Sequence, residues 1–136
     1  MGIVRTEITL KNAWDVTNAQ HGIIKEPEIR QIVVQAVVDT GAMTLVINEE
    51  LRRQLGLGVV GTKEATLADN TKKTVKIAEA VELHWNNRFM TCNPWVVGSG
   101  NTLLGVIPLE HMDLMVDPVS QTLVGAHGEK EVGLLL

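Results

Sequence analysis

Apolar and polar residues along this chain repeat mostly with a period of two. In residues 3–11, Val4, Thr6, Ile8 and Leu10 alternate with Arg5, Glu7, Thr9 and Lys11, the pattern of a half-buried strand. Residues 12–28 are polar, carry Gly22 and Pro27 and hold no sustained period, so they read as a long loop. Residues 29–38 form a second strand. Its last half, Ile32-Val33-Val34-Gln35-Ala36-Val37-Val38, is apolar on both faces and is expected deep in the core. Residues 44–47 read as a third, short strand. Asn48 then has the features of an N-cap, with Glu49 and Glu50 at the positive end of a helix and Arg52 and Arg53 at its negative end. Gly56 is placed to stop it, and this is the one helix expected before residue 100. Alternation returns over residues 64–85, where Val75, Ile77, Val81, Leu83 and Trp85 share a face. Asp69-Asn70-Thr71 folds residues 64–76 into a hairpin, and Asn86-Asn87 makes a second turn that residues 90–97 complete. Residues 98–101 are a loop, Leu103-Leu104-Gly105 a buried run, and residues 108–112 one helical turn. Residues 114–116 and 122–124 flank Pro118 as a last hairpin. The fold class expected is all-β with one or two short helices.

Composition narrows the function classes. The 136 residues, 45% apolar and 21% charged, fit one domain over residues 1–136. Twelve Lys and Arg against 16 Asp and Glu leave a formal charge of −4, so no basic footprint for nucleic acid exists. No apolar run reaches the ~18 residues of a membrane helix, and the N-terminus lacks a signal-peptide core. The expectation is a cytoplasmic protein with no membrane partner. Aromatic residues make up only 3%, so Val, Ile, Leu and Met must build the core. The lone Cys92 excludes an intrachain disulfide and reads as a packed thiol. His21, His84, His111 and His127 are scattered without metal-ligand spacing, so neither a metal nor another cofactor is expected.

One carboxylate stands apart. Asp15, Asp69, Asp113 and Asp117 fall in contexts where a carboxylate is cheaply solvated, whereas Asp39 follows a fully apolar strand end and precedes another apolar strand. An acid there sits on a tight turn between core strands, where it is expected to be desolvated. Thr40 can hydrogen-bond locally or across an interface, Gly41 permits the turn, and Ala42 keeps the site narrow.

Val37-Val38-Asp39-Thr40-Gly41-Ala42 resembles the catalytic loop of the retropepsin-like aspartic peptidases. Leu103-Leu104-Gly105, some sixty residues on, is similar to the segment that supports that loop from behind. Between them, residues 65–71 are similar to the flap hairpin, and residues 109–114 to the short helix and strand of soluble bacterial members. The resemblance covers residues 29–125 and leaves residues 126–136 as a C-terminal tail. It implies a closed acid-protease β-barrel with one lobe per chain. It further implies that Asp39 is the catalytic carboxylate, that Thr40 braces the paired catalytic loops, and that Gly41 offers backbone contacts near the substrate. Ala42, Met43, Ala68, Asp69, Asn70 and Thr71 would contact substrate. Met43 stands where many retroviral members carry a polar residue, Val106 where they usually carry arginine, and the flap lacks tip glycines.

Metal-free peptide hydrolysis without a covalent intermediate needs two carboxylates, one to activate water and one, protonated, to polarise the carbonyl. A single Asp-Thr-Gly in so short a chain puts the second carboxylate on another copy, hence a homodimer cleaving a peptide or protein substrate. The alternative is a catalytically silent dimeric module that keeps the fold and binds peptides or proteins.

Overall fold

The computed structural model describes residues 2–133. Strand β1 (Arg5–Asn12) leads into helix α1 (Ala13–Gln20) and a 3₁₀ turn (Glu26–Glu28), followed by β2 (Gln31–Val38), β3 (Leu45–Asn48) and α2 (Glu49–Gln54). Strands β4 (Val59–Thr66), β5 (Lys72–Ala78), β6 (Val81–Trp85), β7 (Arg88–Cys92), β8 (Trp95–Val97) and β9 (Thr102–Leu104) come next. Helix α3 (Val106–His111) and the hairpin β10 (Leu114–Asp117) and β11 (Thr122–Gly125) close the described chain. Nine strands form one curled sheet in the order β4-β5-β8-β3-β9-β2-β1-β6-β7, and β10-β11 pair separately. The all-β expectation holds, and the strands enclose a core of Ile8, Leu10, Leu45, Ile47, Leu55, Leu83, Leu104 and Met112.

Local signals explain most boundaries. Asn48 Oδ1 accepts the Leu51 N–H at 2.8 Å and caps α2, and Gly56, at φ +66°, takes the left-handed turn beyond it. Asn70 (φ 67°) and Asn86 (φ 50°) adopt the positive φ that their hairpin turns need.

Three expectations are corrected. Residues 12–28 are not a loop: Asn12 Oδ1 accepts the Asp15 N–H at 3.1 Å and starts α1, which makes three α-helices among the described residues. The helix carries no strong apolar stripe, because one turn of capping and the Asp15–Arg30 pair hold it in place, so a search for period 3.6 passes over it. Strand β2 is not buried on both faces. Ala36 is fully buried, but Val33 is 61% exposed and Gln31 and Gln35 face outward. Residues 90–97 do not form one hairpin arm. Asn93-Pro94 ends β7, and β8 crosses to lie parallel to β3 and antiparallel to β5. The Leu134-Leu135-Leu136 end of the C-terminal tail lies outside the described residues.

Candidate active site

Strand β9 lies between β2 and β3, parallel to the first and antiparallel to the second. Leu104 pairs with both Val38 and Leu45, so one short strand holds the two ends of the Asp39 turn together. The Asp39 N–H donates to the Leu104 carbonyl at 3.0 Å, and the Ala42 N–H donates to the Asp39 carbonyl at 3.1 Å. Directly after β9 the chain binds the far side of the turn. Val106 N–H donates to the Ala42 carbonyl and Ile107 N–H to the Met43 carbonyl, each at 2.9 Å. This approach demands glycine at 105. A Cβ there would stand 2.5 Å from the carbonyl oxygens of both Ala42 and Thr44. Leu103-Leu104-Gly105 therefore supports the Asp39 turn through main-chain hydrogen bonds.

Within the turn, Asp39 Oδ1 accepts the Gly41 N–H at 2.8 Å, which orients the carboxylate. Asp39 is half-buried rather than deeply buried, and Thr40, Gly41 and Met43 are exposed. The protomer has clefts of about 550 Å³ and about 320 Å³, and Asp39 lines neither of them.

The hairpin of β4 and β5 ends in the Ala68–Thr71 tip. Leu67 N–H donates to the Thr71 carbonyl at 2.8 Å and Asn70 N–H to the Leu67 carbonyl at 3.0 Å. Asp69 Oδ1 accepts both the Thr71 N–H (3.0 Å) and its hydroxyl (2.5 Å), and these bonds lower the Asp69 pKa. Ala68, Asp69, Asn70 and Thr71 are all exposed. Among the described residues no hydrogen bond or ion pair joins this tip to the Asp39 turn. The structure thus brings Asp39, Thr40, Gly41, Ala42 and Met43 together and leaves Ala68–Thr71 on a separate arm.

Two aspartates expected in solvated settings are instead buried. Asp15 accepts Arg30 Nε at 2.8 Å, Arg30 Nη2 at 3.0 Å and the Arg30 N–H at 3.0 Å, and this guanidinium lowers its pKa despite burial. Asp113 takes a left-handed φ of 57°. Burial pushes its carboxyl up, but the His127 ring at 2.7 Å, the Val132 N–H at 3.2 Å and the nearby Arg88 charge outweigh that and lower it. Arg88, 3% exposed, reaches the carbonyls of Met112, Asp113 and Gly128, each at 2.6 Å, and ties the chain after α3 to β7. No sequence pattern marks these partners, which lie between 14 and 40 residues apart. Cys92 is a packed thiol whose pKa burial pushes up to about 12. Among the described residues no group of three His, Cys, Asp or Glu side chains is arranged to hold a metal ion. None of the described helices is long and apolar enough to cross a membrane.

A search of curated proteins finds no match. Solved structures similar in fold include the retroviral protease-like domain of Ddi1 from Leishmania major, at 16% identity, 68% coverage of this chain, 78% of that one and TM-score 0.49. They also include a retropepsin-like aspartic protease from Rickettsia conorii (18%, 86% and 89%, TM-score 0.47). A third is the EIAV protease in complex with the inhibitor HBY-793 (20%, 57% and 75%, TM-score 0.43). The family model described as aspartyl protease matches residues 26–107, a span that holds the Asp39 turn, the exposed hairpin and the β9 support. By that match, over more than half of its length, the chain belongs to the aspartyl protease family.

Proposed function

We propose that this protein is an aspartic endopeptidase whose active unit is a homodimer, with Asp39 of each protomer forming the catalytic pair. The observation that carries this reading is the Asp39-Thr40-Gly41 turn, held between two strands by a third, with Asp39 half-buried and Thr40 and Gly41 exposed at the protomer surface. A second copy related by a two-fold axis at this surface would bring two such turns together and bury both carboxylates. Thr40, exposed beside Asp39, would hydrogen-bond across the axis, and Gly41 would present its backbone to substrate.

The chemistry follows from two carboxyls in different protonation states. The ionised one takes a proton from water as the water oxygen attacks the peptide carbonyl carbon. The protonated one gives its proton to the carbonyl oxygen. Collapse of the tetrahedral adduct transfers a proton to the amide nitrogen, breaks the C–N bond, and restores one proton to the pair. Ala42 and Met43 would line the floor under a peptide, and Ala68–Thr71 would close over it from the hairpin arm. The whole chain, residues 1–136, would act as one domain, with no metal or other cofactor, in the cytoplasm.

Cleavage of a peptide library derived from denatured proteins tests the reading. Wild type should cleave it and Asp39→Asn should not. Equal cleavage by both would refute the assignment of Asp39. Peptide binding without cleavage by wild type would favour a silent binding module.

A further inference from the structure

Strand β2 is only partly paired on its second side. Along β1 it is matched from Gln31 to Val37, but β9 covers it only at Ala36–Val38. The Asn12 N–H donates to the Arg30 carbonyl and the Val38 N–H to the Val4 carbonyl, so even-numbered residues of β2 turn their main chain toward β1. Odd-numbered Gln31 and Val33 turn theirs the other way, as does the Gln35 N–H, and no strand meets them there among the described residues.

That open edge forms one wall of a groove of about 320 Å³. Helix α2 lines it through Glu50, Leu51 and Gln54, together with the cap residue Asn48 and residues 100–102. Ile32, Val34 and Leu51 supply apolar contact, whereas Gln35, Gln54 and Asn101 supply amides. Glu50 is the only ionisable side chain among the lining residues, and it is exposed. Unpaired strand donors and acceptors beside an apolar floor recognise extended polypeptide by strand addition.

We propose that this groove binds an extended segment with a basic side chain, added as a strand along β2 and facing Glu50. Gln35 lies four residues before Asp39, roughly 13 Å away at about 3.3 Å per residue. The occupant is accordingly an unfolded stretch of protein substrate held apart from the bond being cut. The word substrate rests on the peptidase reading above, whereas strand addition stands on the β2 edge alone.

The test uses the full chain carrying Asp39→Asn, so that binding is read without cleavage. The probes are an acetylated, amidated Lys-Val-Thr-Val-Thr-Val-Lys peptide, its Glu-flanked counterpart, and reduced, alkylated lysozyme. Amide hydrogen exchange should slow at Val33 and Gln35 with the basic peptide and with the unfolded lysozyme. The Glu-flanked peptide should bind more weakly. Glu50→Lys should weaken the basic peptide at least about threefold and reverse the preference. Val33→Pro should weaken it about fivefold, since it removes a donor that does not face β1. Unchanged exchange at Val33 and Gln35, or equal affinity in Glu50→Lys, overturns the groove. Protection by the peptide but not by unfolded lysozyme overturns the substrate assignment. Protection of the same amides by self-association without any probe gives the groove to a second copy and also overturns it.

Discussion

Gly105 carries more of the Asp39 site than any single side chain around it. Its missing Cβ lets β9 and the start of α3 press against the carbonyls of Ala42 and Thr44. Gly105→Ala must push these backbones apart, at a cost of about 2 kcal/mol or more, and the Asp39 turn moves with them. Denaturant unfolding should show that loss, and kcat/KM should fall further than the stability change alone accounts for. Full stability with full activity would remove Gly105 from the account. At Asp15 the expected effect is purely structural. Asp15→Asn breaks the bidentate grip on Arg30 and should cost about 1–2 kcal/mol, discounted because Arg30 is half exposed, with kcat unchanged. A drop in kcat at full folding would show that the α1 region reaches the site. The Asp39 motif was legible because a charged residue between two apolar strands is conspicuous. Asp15, Asp113 and Arg88 were not, because their burial comes from partners far along the chain.

In the proposed function, the hairpin of β4 and β5 is the element that would close over substrate. Its strands are paired along their length, yet the tip from Leu67 to Thr71 is exposed and bonded only within itself. Amides in the tip should exchange rapidly in the free protein and become protected when a peptide-like inhibitor binds. Equal protection with and without inhibitor would argue that the arm does not close over ligand. At this scale the sequence was informative wherever a turn residue had a conformational reason, as Asn70, Asn86 and Gly56 show. It was misleading at β2, where an apolar run suggested two buried faces. In fact only the even-numbered face turns toward the core, and Gln31, Val33 and Gln35 on the other face lie at the surface. It was silent at α1, whose cap Asn12 also spends its amide on the Leu55 carbonyl at 2.8 Å. Such a dual role has no local signature.

For the whole molecule, acid should be a specific weakness. Asp15 and Asp113 both have pKa values lowered by folding from the ordinary 3.8, so in the unfolded chain they bind protons more readily. Each stabilises the fold above that value and loses its contribution as pH falls through the lower folded-state value. Thermal unfolding at successive pH values should therefore show stability falling below about pH 4, with less of a fall in Asp15→Asn. A melting temperature that is flat from pH 6 to pH 2 would contradict these ion pairs. Assembly is the larger issue at this scale. The order and spacing of the motifs foreshadowed the strand arrangement around Asp39, whereas in the single protomer this residue is only half-buried and lines neither of the two clefts described above. A site completed by a second copy accounts for both features. Mixing wild type with Asp39→Asn at fixed total concentration, after exchange of subunits, measures this directly. If two Asp39 side chains are needed, activity follows the square of the wild-type fraction, and an equal mixture keeps about one quarter of the pure wild-type rate. An equal mixture that keeps one half, with activity strictly proportional to wild type, would contradict a catalytic pair shared between protomers.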